Sequence, residues 1–369
     1  MVKRWSGRPT LEAAAGAIAG SERYAQSICQ GGCLRIVLRR RETESLFTLH
    51  RYGALAFVCL LQWGCAGSSS AEPRKRWLLA PDDPLPERLS EVGVYEDVTT
   101  LTAYADLVGY VPNHPLYSNG LDKERHIYLP EGTPIQVAGA QPWTFPVGVV
   151  LAKTFLYEGE PVETRLFFRT TDGWDYGLYR WLPDASDAEV IRGNWAEVPV
   201  ELGEGELTHT LPSRLDCRTC HETHEAVAAS PVIGISSLQT GTDLVEAEVF
   251  SEAPSITAVR GRTDEETAAL SYFMGNCISC HNGGESINSA FSLYPADAVA
   301  NTVDQPTESE TGEGIRVVPG DPEQSVLYIT VVEAGTSGYR GPFKVMPPIG
   351  GDVIDPDASA VLGAWIEDL

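Results

Sequence analysis

Positive charge is scarce in this sequence: 27 Lys and Arg stand against 51 Asp and Glu, a formal net charge of -24. Nine of those cations but only four of the acids fall within the first 64 residues, which leaves -29 from Cys65 onward. Such a surface repels phosphates, so nucleic acid is excluded as a partner, whereas a basic protein would be drawn to it. Long apolar runs are missing as well. The strongest, Ala54 to Gly64, is too short to span a bilayer. Cysteine without a role is also lacking. Of eight, Cys29, Cys33 and Cys59 precede the end of that apolar run, Cys65 sits at its end, and the other four fall in one repeated motif. No disulfide framework can be built from that remainder. Methionine is scarcer still, with Met274 and Met346 the only two beyond Met1. No phosphate-cradling Gly loop, nucleophile elbow or calcium-loop pattern occurs.

The 369 residues suffice for two domains with their own cores, and a hydrophobic fraction of 43% is ordinary for a soluble chain. Residues 1–50 read as neither domain nor signal, and are expected to be a long leader or an over-extended start. From His50-Arg51 a basic edge enters the apolar run, followed at once by Cys65-Ala66-Gly67-Ser68-Ser69-Ser70. This is the pattern of a signal peptide over the end of residues 1–64, and the Gly-Cys junction resembles a bacterial lipoprotein cleavage site despite the bulk of Gln62 and Trp63. It implies an exported chain in the periplasm or cell envelope, held to a membrane by a lipid on Cys65. Residues 65–89 are charged and Pro-rich, a flexible tether.

Residues 90–210 carry strand patterns. Val162, Thr164, Leu166 and Phe168 alternate with Glu163, Arg165 and Arg169; Asp172-Gly173 marks a turn, and Trp174, Tyr176 and Leu178 resume the alternation. That is a hairpin, with further strands near Ile127–Leu129 and Val147–Phe155. The aromatic residues of this β-rich domain read as core and rim.

The most informative residues follow. Cys217-Arg218-Thr219-Cys220-His221 and Cys277-Ile278-Ser279-Cys280-His281 repeat one pattern. Two thiols at this spacing can each add to a haem vinyl group, and the adjacent histidine is then held under the ring to bind the iron. Two covalently bound haem c groups are expected, attached at Cys217, Cys220, Cys277 and Cys280, with His221 and His281 as iron ligands. A four-cysteine zinc site would leave both histidines without a role. A zinc-protease helix would need histidine at 225, where the chain has glutamate, and a thioredoxin-like reading lacks its βαβ context.

Residues 211–262 form the first haem-binding segment. From Thr263 a helix is predicted, with Thr263 and Glu266 as a capping box and Ala269, Leu270 and Phe273 as its apolar stripe. Further helices are predicted from Asp321-Pro322 and from Asp355-Pro356, the last carrying Val361, Leu362, Trp365 and Ile366. Lys344-Val345-Met346-Pro347-Pro348 offers a thioether held by stiff backbone, which makes Met346 the candidate distal ligand of the second haem.

A helix into Cys-x-x-Cys-His, a Met-Pro-Pro loop and a closing helix: residues 263–369 resemble a class I cytochrome c domain. That resemblance implies first and last helices that pack together, His281 as proximal ligand and Met346 as distal ligand. The rest is similar to a family of bacterial dihaem c-type cytochromes with a β-rich front region. The matching stretches are Pro115-Leu-Tyr-Ser-Asn-Gly-Leu-Asp-Lys-Glu-Arg125, Phe145-Pro-Val-Gly-Val-Val-Leu-Ala-Lys-Thr-Phe155 and Leu211-Pro-Ser-Arg-Leu-Asp-Cys-Arg-Thr-Cys-His221. The expected fold class is therefore α+β, a β-rich N-terminal domain followed by a mainly α-helical cytochrome c-like haem domain.

The sixth ligand of the first haem stays open at this point. Met274, His209 and His126 are candidates, His224 lies on the proximal side, and a five-coordinate iron is the remaining case. Three functions follow: a dihaem cytochrome carrying single electrons between redox protein partners that dock electrostatically, a haem enzyme of peroxidase-like type with an open coordination position, and a binding module whose haems report redox state.

Overall fold

The turn at Glu158-Gly159 fixes the centre of the fold. Both residues have positive φ, 51° and 87°, the two-residue hairpin geometry whose twist suits the flanking strands. The computed structural model describes residues 76–369 apart from 138–142, 194–196, 206, 229, 285–290, 309–311 and 352. The leader and signal expected over 1–64, Cys65 with its lipid, and the first part of the tether lie outside the described residues.

The short strands β1 (Tyr95–Asp97) and β2 (Thr102–Ala103) pair with each other. β3 (Leu107–Gly109), β4 (Asp122–Tyr128), β5 (Val150–Tyr157), β6 (Glu160–Thr170), β7 (Gly173–Trp181) and β8 (Ala188–Ile191) form a six-stranded antiparallel sheet whose neighbours follow sequence order. β9 (Val198–Leu202) and β10 (Leu207–Leu211) make a separate hairpin. The hairpin predicted around Asp172-Gly173 is β6–β7.

Alternation along β6 predicts one apolar and one wet face, yet both faces are covered. Ala152, Leu166, Phe168 and Tyr179 pack against Trp77, Leu78, Leu89 and Val92 from the chain preceding the sheet. On the other face Ile127, Leu151, Phe167 and Tyr176 meet Leu211, Val232, Ile235 and Leu244 from the chain following it. Each large apolar side chain so buried contributes about 1.5–3 kcal/mol.

After the sheet come α1 (Arg214–Ala228) and α2 (Thr242–Glu246), then α3 (Asp264–Asn276), α4 (Ala298–Thr302), α5 (Val326–Tyr328) and α6 (Ala358–Glu367). Thr263 caps α3 by accepting from the Glu266 amide at 3.1 Å, but the Glu266 carboxylate turns to the Arg262 amide instead of closing the box. α6 packs on α3, with Trp365 edge-on to Phe273 at 5.6 Å.

The expectation of a mainly α-helical cytochrome c-like domain over 263–369 is corrected by this structure. α3 and α6 are 13 and 10 residues long, α4 and α5 only 5 and 3, and turns and isolated bridges occupy most of the remainder. The helix expected from Asp321 breaks into a 3-10 turn, α5 and a π-helical turn at Ile329–Glu333. Glycine and proline explain the difference. Gly335, Gly338, Gly341, Pro342, Pro347, Pro348, Gly350 and Gly351 remove helix propensity and backbone donors where a bundle would need continuous helix. The described chain is β-rich, organised by its sheet.

Candidate haem-binding site

The first motif rides on helix. Ser213 and Asp216 cap α1 reciprocally: Ser213 Oγ accepts from the Asp216 amide at 3.2 Å, and the Asp216 carboxylate accepts from the Ser213 amide at 2.7 Å. Helical spacing then places Cys217, Cys220 and His221 on one side of α1. That side meets the sheet. Cys217 packs with the apolar cluster, and the His221 ring lies 4.6 Å from Phe167 and 5.8 Å from Tyr176.

His221 Nδ1 is 2.7 Å from the carbonyl oxygen of Pro231. A carbonyl can only accept, so Nδ1 carries a proton, and in the neutral ring the lone pair then sits on Nε2. This is the tautomer that an iron ligand needs, held by the kind of outer hydrogen bond that orients metal-bound histidines.

The second motif follows α3 in a tight turn, where the amides of Cys280 and His281 both donate to the Cys277 carbonyl at 3.1 and 2.8 Å. The His281 ring lies 4.5 Å from Phe291, whose other contact is the Arg316 guanidinium at 4.1 Å. Burial, then the Arg316 charge, pulls His281 down to about 4, so its imidazole is neutral near pH 7 and able to ligate.

The fold brings the two motifs together. The Cys220 and Cys280 thiols influence each other, which pushes Cys220 up and holds Cys280 down; burial raises Cys277 to about 12. All four motif thiols are free. The residues present thus fit covalent haem: reduced thiols at attachment spacing, each pair followed by an imidazole suited to iron. Among the described residues no group of three or more His, Cys, Asp or Glu could hold a bare metal ion.

Met346 lines a small cavity with Tyr117, Tyr272, Asn276 and Val331, beside the end of α3 that leads into Cys277. His281 is not among the residues lining it. The candidates for the first haem's sixth ligand are not placed to serve. His209 is 1% exposed and engaged at both ring nitrogens, Nε2 to Glu163 at 2.9 Å and Nδ1 to Asn119 at 3.2 Å. His126 shares its register with Ala152, on the sheet face turned away from α1. Met274 is buried in the core of α3 and α6. The His224 side chain lies outside the described residues.

Sequence reasoning missed what lies under α1. Three neighbouring rungs of the sheet face the same way: Ile127, Leu151, Phe167 and Tyr176; then Arg125, Lys153, Arg165 and Leu178; then Lys123, Phe155 and Glu163. The first rung seats His221. The second sets three cations side by side on adjacent strands. Lys123, Lys153 and Arg165 also converge on the Phe155 ring, at 5.7, 5.0 and 4.3 Å. Like charges about 5 Å apart repel by roughly 3 kcal/mol at the effective dielectric of a protein. Only Glu163 answers them from within the rungs, and it is already bound by Arg165 and His209. Burial and the neighbouring cations hold Lys153 well below the usual lysine value and lower Lys123 to about 8.

A larger cavity of about 640 Å³ lies between the turn at Asp172 and residues Pro81–Leu85, and its lining contains none of the motif residues. No family model, curated protein or solved structure matches the chain.

Proposed function

We propose that this chain is an exported dihaem c-type cytochrome that carries single electrons between redox proteins in the cell envelope. The observation that carries the reading is the His221–Pro231 hydrogen bond beneath a Cys-x-x-Cys-His motif, since it fixes the ligating tautomer in advance. Cys217 and Cys220 would hold one haem and Cys277 and Cys280 the other, with His221 and His281 on the irons and Met346 as distal ligand of the second. Bound haem supplies a metal that takes and gives up one electron at a time. The chain supplies the rest: two imidazoles, aromatic rings packed against them, and an acidic surface that favours basic partners.

Haem staining of a denaturing gel tests this. Stain should stay with the wild-type chain and fall by about half in Cys277→Ala/Cys280→Ala, because thioethers survive denaturation. A stain-free wild type, or a variant that keeps all its stain, would sink the reading.

A second reading has its own support. None of His209, His126 and Met274 is placed as sixth ligand of the first iron, which favours an open position and a peroxidase-like or other haem oxidoreductase. A high-spin signal from one of two haems would select it over the relay. Anchoring is proposed through lipid on Cys65, and among the described residues no helix is long and apolar enough to cross a membrane. Mass spectrometry of the N-terminal peptide decides it, an unmodified start beyond Cys65 being the contrary result.

A further inference from the structure

In a chain of net charge -24, the sheet face under α1 gathers four cations, Lys123, Arg125, Lys153 and Arg165. Two of them lack a directly bound counter-ion among the described residues. Arg165 is spoken for by Glu163 and Lys123 Nζ donates to the Leu121 carbonyl at 2.8 Å, but among the described residues the charged ends of Lys153 and Arg125 have neither hydrogen bond nor ion pair. Half-burying such groups next to one another is costly unless a negative group completes the arrangement. The cluster reaches the first motif, because Arg165 and Lys153 both act electrostatically on the Cys217 thiol. From Arg165 the rung runs through Lys153 to Arg125 across two strand spacings, about 10 Å.

We propose that Arg125 and Lys153, flanked by Lys123, form an anion site that takes carboxylate groups. This rests partly on the proposed haem function. One source is the pair of carboxylates on the haem attached at Cys217 and Cys220, since the rung that carries Lys153 and Arg125 begins at Arg165, which acts on the Cys217 thiol. The other is a small soluble carboxylate. A guanidinium and an ammonium presented side by side on rigid strands are suited to either, the first through paired donors and the second as a point charge. A merely repulsive flaw in the core would have no reason to lie beside the motif.

The test uses the full-length protein with Arg125→Gln and Lys153→Gln. Glutamine keeps the length and polarity of either side chain without its charge, so each variant should fold. Two readouts follow: a redox titration of both haem transitions, and calorimetric titration of the oxidised protein with acetate and citrate. If haem carboxylates occupy the site, one transition shifts to lower potential in both variants, because a lost neighbouring cation favours the more positive ferric iron, and the added acids do not bind. If a soluble carboxylate is the ligand, citrate binds the wild type and its Kd rises at least about tenfold in each variant. Unmoved potentials together with no binding of either acid overturn the proposal. Should haem staining show that the chain carries no haem, the haem function fails by itself, and the citrate titration still decides the anion site.

Discussion

The imidazole of His221 and the carbonyl of Pro231 meet at 2.7 Å, although the residues belong to a helix and to the irregular chain beyond it. The contact places the proton on Nδ1, the arrangement that the proposed iron ligation needs, and Phe167 packs against the ring. Replacing His221 by Ala should leave haem covalently attached at Cys217 and Cys220 while opening one axial position. Added imidazole should then change the absorption spectrum of one haem of two and restore the wild-type form, as the free ligand occupies the vacated place. A His221→Ala spectrum identical to wild type and indifferent to imidazole would show that His221 is not a ligand.

Glu163 is fully buried and accepts from Arg165 Nε at 3.0 Å and His209 Nε2 at 2.9 Å. Burial alone would raise its carboxyl; the Arg165 charge and the hydrogen bonds from His209 and Arg165 outweigh that and lower it from 4.5 to about 2. A carboxylate depressed in the folded state stabilises at pH values above the unfolded pKa and ceases to do so as pH falls towards the folded one. The contribution is thus complete above about pH 4.5, fades below it and is gone near pH 2. Glu163→Gln should cost about 3 kcal/mol at neutral pH and much less near pH 2, read from denaturant unfolding at both. An equal loss at the two pH values would mean packing, not charge, is what Glu163 supplies.

How much of this was legible in the sequence depends on the range of the interactions. The β6–β7 hairpin, the start of α3 and the closing helix α6 are set by residues close in sequence: alternation, the Thr263 cap, an apolar stripe. The Cys-x-x-Cys-His pattern on which the haem proposal rests was legible because it occupies five adjacent residues. The helical seat of the first motif went unread, although Ser213 and Asp216 stand at capping-box spacing. What could not be read is long-range. Glu163 and Arg165 look like the wet side of a strand until α1 and β10 are known to lie on them, and His209 looks available for iron until Asn119 and Glu163 occupy both its nitrogens. The cytochrome-like helical content was over-read from three good helix starts. A start says nothing about the Gly and Pro residues that prevent continuation.

The loop before β4 is docked on α3 through a missing side chain. A Cβ at Gly275 would lie 2.8 Å from the Pro115 carbonyl oxygen and 3.1 Å from that of His114. The loop is also tied there by the Tyr117 amide to Asn276 and by Gln239 to both His114 and Met274. Backbone cannot give way as a flexible side chain does, so Gly275→Ala should destabilise by about 1–3 kcal/mol. Gly338→Ala, where a Cβ meets nothing within 4 Å, serves as the control and should lie within about 0.5 kcal/mol of wild type. Equal melting temperatures for the two variants would rule out close packing of the loop on α3.

Met346 is the side chain on which the proposed inequivalence of two haems would depend. It follows Val345 in a loop whose Met346 amide donates to the Thr330 carbonyl at 2.8 Å, and it shares a cavity with Tyr272 and Asn276 next to the second motif. A thioether is a soft, weak donor that favours reduced iron, so His/Met coordination raises the potential relative to His/His or His/water. The second haem should therefore titrate above the first. Met346→His should lower one of the two transitions, leave the other nearly in place and leave both haems attached, because the thioether bonds at Cys277 and Cys280 do not depend on it. Spectroelectrochemical titration of the wild type and Met346→His side by side reads the effect. If both transitions move together, or neither moves, the thioether does not reach the iron, and Met346 serves only to fill the cavity against Tyr272.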